Sequence, residues 1–132
     1  MPARPDHFGF TKLLVVDLDK SAAFYRDVFG LKESARIRSE IAGRTIEEIL
    51  FSPTGEGAAT FVLLRFDDAR IASADEVILG FITADIDMAA ERAIAAGGSV
   101  MREALDYPDL GVKVAFLTDI EGHLIEVVQQ MT

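Results

Sequence analysis

With 132 residues, 50% of them hydrophobic, and a formal net charge of −9, the chain has the size and composition of one packed domain rather than a disordered tail. The acidic balance argues against nucleic acid as a partner, and no apolar run approaches the roughly 20 residues of a membrane span. Zero cysteines remove disulfides, thiol catalysis and thiolate metal sites, and Met1-Pro2-Ala3-Arg4-Pro5-Asp6 lacks the apolar stretch of a secretion signal, so the expected home is the cytoplasm.

Phe8 to Val16 is expected to form a strand, after which Asp17 or Asp19 caps a helix running to about Phe29 and stopped by Gly30. Ala22, Tyr25 and Phe29 recur at helical spacing, and Phe24 with Val28 widens the apolar stripe. Strands follow near Lys32 to Ser39, Arg44 to Phe51 and Ala58 to Phe66, with Ser52-Pro53-Thr54-Gly55-Glu56-Gly57 as a hairpin-type loop between the last two. Asp67 to Glu76 is mostly polar and reads as a connector. Val77 to Ala84 is a second entry strand, and Asp87 caps a helix to Ala96 that Gly97-Gly98 ends. Three more strands lie near Ser99 to Ala104, Val112 to Thr118 and Leu124 to Gln129. Ala104 to Gly111 is the longest internal loop of this half, read either as an exposed loop or as a lid that brings Tyr107 to a ligand.

The order strand, helix, three strands thus occurs twice, and the entry turn repeats in sequence. Val16-Asp17-Leu18-Asp19-Lys20-Ser21-Ala22-Ala23 returns as Ala84-Asp85-Ile86-Asp87-Met88-Ala89-Ala90-Glu91. The reading is a single α+β domain over residues 1–132, with βαβββ modules at about 8–66 and 77–130 and a connector at 67–76.

Leu13-Leu14-Val15-Val16-Asp17-Leu18-Asp19-Lys20-Ser21, with Phe24-Tyr25 and Phe29-Gly30-Leu31, resembles the opening strand, turn and helix of the vicinal oxygen chelate superfamily. That superfamily includes glyoxalase I, bleomycin resistance proteins, fosfomycin resistance enzymes and extradiol dioxygenases. Asp119-Ile120-Glu121-Gly122-His123-Leu124-Ile125-Glu126 resembles its last turn and strand. The resemblance implies two βαβββ modules forming a curved mixed sheet around a cavity, and a homodimer. It also implies metal ligands on the first and last strands of each module. Carried over position by position, these fall on Phe10, Val62, Ile78 and Glu126, and only Glu126 has a donor side chain. One carboxylate cannot hold a divalent ion with useful affinity. No metal and no other cofactor is therefore expected, unless the ligands lie elsewhere.

Period-two alternation then extends the cavity lining from those positions. Phe10 brings Lys12 and Leu14 to its face, and Ile78 brings Gly80 and Ile82. Thr60, Val62 and Leu64 follow on the fourth strand, and Leu124, Glu126 and Val128 on the last. The cavity is expected to be mostly hydrocarbon with two charges, Lys12 and Glu126. Glu126 is either a general base or acid in apolar surroundings, or a retained carboxylate satisfied by Lys12, backbone or water. Lys12 either anchors a ligand anion or neutralises Glu126. Of Glu47 and Glu48, one must face each side of a strand. His7 and His123 are read as surface or turn residues, and Arg36, Arg38, Arg44 and Arg65 as surface charges or anion clamps.

The expected function is metal-free binding of a small apolar or amphipathic molecule, with neither nucleic acid nor membrane as partner. The alternatives are a metal-independent isomerase or lyase using Glu126 as general base, with Lys12 stabilising developing negative charge, and a glyoxalase I-like or dioxygenase-type metalloenzyme with unrecognised ligands.

Overall fold

Asp17 and Asp85 fix the start of each module's helix. In the computed structural model, which describes residues 8–68 and 76–131, each adopts extended backbone and accepts a hydrogen bond from the amide three residues on, Lys20 at 2.9 Å and Met88 at 3.1 Å. The first Asp of each turn is therefore the cap, Asp17 rather than Asp19, and Asp85 rather than the expected Asp87. Asp19 and Asp87 sit in the first helical turn, where their charge favours the positive helix end. Asp85→Ala is accordingly expected to cost about 1 kcal/mol, and Asp87→Ala less than half of that, in paired urea unfolding curves.

Strand β1 (Phe10–Leu14) leads into helix α1 (Leu18–Phe29), followed by β2 (Glu33–Ile41), β3 (Arg44–Phe51) and β4 (Thr60–Phe66). The second module repeats this with β5 (Ile78–Ile82), α2 (Ile86–Ala95), β6 (Ser99–Tyr107), β7 (Val112–Thr118) and β8 (Leu124–Gln130). Each module folds as a four-stranded mixed sheet, in the orders β1-β4-β3-β2 and β5-β8-β7-β6. In both, the entry strand lies parallel to the last strand at a sheet edge. The registers are equivalent, since Phe10 pairs with Thr60 as Ile78 pairs with Leu124.

One helix covers one face of each sheet, and the two helices pack against each other. The core lies there, because Leu18, Ala22, Tyr25 and Val28 of α1 and Ile86, Ala89 and Ala93 of α2 recur at helical spacing. They meet Leu13, Ile49 and Leu63 from the first sheet and Leu79, Leu117, Ile125 and Val127 from the second. A ring cluster closes the junction, with Phe29 stacked on Phe81 at 3.9 Å and Tyr25 edge-on to Phe61 at 5.1 Å.

The loop expected at Ala104 to Gly111 is shorter than the sequence suggests. β6 continues to Tyr107, paired with Val112, and only a 3-10 turn at Pro108–Leu110 remains before Gly111, whose φ of 68° closes it. Tyr107 is thus a strand residue. Among the described residues, no helix is long and apolar enough to cross a membrane.

Candidate functional site

The helices pack on one face of each sheet only, and alternation decides what stands on the other. In the first module, register carries Phe10, Lys12 and Leu14 across to Thr60, Val62 and Leu64, and on to Leu50 and Glu48 of β3. Lys12 Nζ donates to Glu48 Oε2 at 2.9 Å, and Glu48 is only 8% exposed. The ambiguity between neighbouring glutamates is thereby resolved. Glu48 shares the helix-free face with Lys12, while Glu47 turns to the other face among Arg36, Arg38 and Arg65. Lys12 is committed to Glu48, and no contact joins it to Glu126.

In the second module, Ile78, Gly80 and Ile82 lie beside Leu124, Glu126 and Val128, and these beside Thr118, Phe116 and Val114. One row crosses the sheet as Gly80, Glu126, Phe116, Arg102. Gly80 has open space where a Cβ would stand, so the strand position paired with Glu126 brings no side chain over it. Among the described residues, no hydrogen bond or ion pair engages the half-buried Glu126 carboxylate. Arg102 Nη1 donates to Tyr107 Oη at 3.0 Å and Nη2 to the Val114 carbonyl at 3.1 Å, and its guanidinium lies over Phe116 at 4.9 Å. Arg102 is not among the residues expected at the site. A groove of about 820 Å³ runs along the free edge of β5, bounded by Ile78, Gly80 and Ile82 on one side and by Phe29, Phe61 and Thr60 on the other.

The four positions where the resemblance implies metal ligands present two aliphatic groups, one phenyl ring and one carboxylate, on two sheets. Among the described residues, no group of three or more His, Asp or Glu side chains is placed to hold a metal ion. This donor set does not fit a divalent cation.

His123 does occupy the last turn, but it is buried. Its Nδ1 lies 2.8 Å from Asp119 Oδ2 and its Nε2 3.1 Å from the Leu14 carbonyl. Asp119 also accepts from Tyr25 Oη at 2.7 Å and from the amides of Glu121 and His123, each at 2.9 Å. The hydrogen bond to Asp119 leads in raising the His123 pKa above its usual 6.5, against an opposing effect of burial. Burial pushes the Asp119 carboxyl up, yet its hydrogen bonds from His123 and Tyr25 together hold it below the usual carboxylate range. Burial foremost, and then Asp119, drives the Tyr25 hydroxyl far above its ordinary value. Glu121 reaches further, accepting from the amides of Val16 and Asp17 at 2.9 Å each. The last turn is thus fastened to the first. His7 lies outside the described residues. The four arginines weighed as anion clamps all hold carboxylates, as Arg36 does Asp19, Arg38 and Arg65 do Asp67, and Arg44 does Asp68.

The sequence model of the Glyoxalase/Bleomycin resistance protein/Dioxygenase superfamily matches residues 4–127. A probable lactoylglutathione lyase of Vibrio parahaemolyticus serotype O3:K6 is 28% identical over 122 residues, spanning 90% of this chain and 87% of that protein. Among solved structures, a glyoxalase family protein from Bacillus cereus superposes with a TM-score of 0.85 at 19% identity, covering 98% of this chain and 97% of the other. TioX from Micromonospora sp. ML1 does so with a TM-score of 0.65 at 22% identity, over 96% of this chain and all (100%) of that one.

Proposed function

The chain belongs to the glyoxalase/bleomycin resistance protein/dioxygenase superfamily, and from that footing we propose that it is a metal-independent lyase or isomerase acting on a small amphipathic carbonyl compound. The observation that carries this reading is the Glu126 carboxylate, unpaired on an apolar face and left uncovered by Gly80. A carboxylate that served only to balance Lys12 would be engaged with it, and Lys12 is engaged with Glu48 instead. Glu126 then removes a proton from the carbon beside the carbonyl; the C–H electron pair becomes the C=C bond of an enolate, and the carbonyl π pair moves onto its oxygen. In an α-hydroxyketone the intermediate is an enediolate, and returning the proton to the former carbonyl carbon while the hydroxyl proton passes between the two oxygens completes an isomerisation; departure of a β-substituent with its bonding pair completes an elimination. The named relative from Vibrio supports lyase chemistry, while the donor set at the inherited ligand positions leaves Glu126 as the group to perform it.

A cytoplasmic homodimer belongs to the same proposal. Phe10 and Ile78 are each 56% exposed and Ile82 is 71% exposed, an apolar rim that a second copy would cover.

The test follows deuterium entering medium-chain methyl ketones and α-hydroxyketones in D₂O by NMR. Glu126→Gln is expected to slow protein-catalysed exchange about 10²–10⁴-fold while ligand affinity changes little. Exchange that survives the substitution removes Glu126 as the base. Binding without any exchange by the unsubstituted protein leaves a pure binding function.

A further inference from the structure

The geometry points to Arg102 as the anchor for a substrate carboxylate, so that the molecule acted on is a small oxo acid lying across Phe116 with its acidic C–H at Glu126. This rests on the proton-transfer reading and adds to it a substrate class. Arg102 and Glu126 both pair with Phe116, from opposite sides, which sets their Cα atoms about 10 Å apart across two strand spacings. The fold therefore places a cation and an anion on one face with an aromatic ring between them, and among the described residues no salt bridge joins the two.

Arg102 is held but not neutralised. Its two hydrogen bonds go to a phenol oxygen and a backbone carbonyl, its Nε is buried without an acceptor, and among the described residues it has no carboxylate partner. Arg26, Arg36, Arg38, Arg44 and Arg65 by contrast each meet an Asp. The stack on Phe116 and the bond to Tyr107 fix the plane of the guanidinium, the arrangement suited to a planar two-oxygen ligand. A chain with net charge −9 repels anions at long range, so an anionic substrate needs a fixed local cation of this kind. Two register shifts in β6, on either side of Arg102, are what bring the side chain to this face.

The experiment compares 5-oxohexanoate with its uncharged methyl ester, measuring affinity by calorimetry and C–H exchange in D₂O by NMR. The unsubstituted protein is expected to bind the acid at least about tenfold more tightly than the ester. Arg102→Met, which keeps an apolar stem on Phe116, brings the acid down to the ester's affinity, and Arg102→Lys recovers part of the preference. Glu126→Gln abolishes exchange yet keeps the preference for the acid. Equal affinity for acid and ester in the unsubstituted protein, or no binding of either, overturns the anchor without reference to any variant. Exchange that proceeds equally on both compounds rejects Arg102 while sustaining Glu126. A preference for the acid without exchange does the reverse.

Discussion

Replacing Asp119 by Ala is expected to cost about 3–5 kcal/mol of folding stability, enough to lower the melting temperature by roughly 10–20 °C. The carboxylate is 3% exposed and accepts from Tyr25 Oη, His123 Nδ1 and two backbone amides. Removing it leaves a buried phenol and a buried imidazolium without an acceptor, which costs more than the contacts themselves contribute. The charge on His123 follows from its partners. The Leu14 carbonyl and the Asp119 carboxylate both only accept, so both ring nitrogens carry protons.

The same pair sets the pH dependence. His123 has a raised pKa in the folded state, so its contribution is complete below the ordinary imidazole value of 6.5 and is lost as pH rises through the raised value. Asp119 is lowered, so its contribution is present above the ordinary 3.8 and is lost as pH falls through the lowered value. Melting temperature followed by circular dichroism should therefore be highest between about pH 4 and pH 6.5 and decline on both sides. In His123→Gln the alkaline decline should be much reduced. A wild-type melting temperature that stays level up to about pH 9 would contradict the assignment.

Gly98→Ala is expected to be nearly as damaging, at about 3 kcal/mol or more. A Cβ there would collide with the Thr118 carbonyl oxygen and stand 2.8 Å from Cε2 of Phe24. The end of α2, strand β7 and helix α1 converge at this one atom, so no single neighbour can give way without disturbing the other two. Gly55→Ala is the matched control. Nothing lies within 4 Å of its added Cβ and its φ is not positive, so its urea midpoint should shift by no more than about 0.5 kcal/mol equivalent.

How much of this the sequence discloses depends on whether the signal is local. The caps, the helical stripes of α1 and α2 and the doubled βαβββ order are periodic features within about a dozen residues, and all are legible. Only the choice between Asp85 and Asp87 misleads, because two aspartates two apart offer the same chemistry and backbone geometry picks one. The helix-free faces are legible where strands alternate regularly, which is why Lys12, Gly80 and Val128 follow once the family resemblance supplies Phe10, Ile78 and Glu126. Glu48 is not, since either of two adjacent glutamates satisfies the pattern until β3 finds its register against β4. Arg102 is hidden for a stronger reason. In β6 the residues sharing the helix-free face are Ser99, Arg102 and Leu105, every third rather than every second, because each register shift inserts an extra residue. No reading by alternation reaches it. The buried role of His123 is likewise out of view, as the Leu14 carbonyl it meets lies 109 positions earlier and Tyr25, which shares Asp119 with it, lies 94 before that carboxylate.

That distance matters while the protein is being made. Glu121 closes onto the amides of Val16 and Asp17, contacts spanning more than a hundred residues (105 and 104), and His123 caps the Leu14 carbonyl over 109. A ribosome will have released the whole first module well before the residues that fasten its opening turn are available. During that interval the Val16 and Asp17 amides, and until Phe81 arrives the ring face of Phe29 that stacks on it, have only water to meet. The emerging chain thus carries a sticky, half-finished surface whose exposure time is set by translation speed over its second half. Slower synthesis of residues 69–123 should therefore lower the yield of active protein, even though every residue in the finished molecule is unchanged.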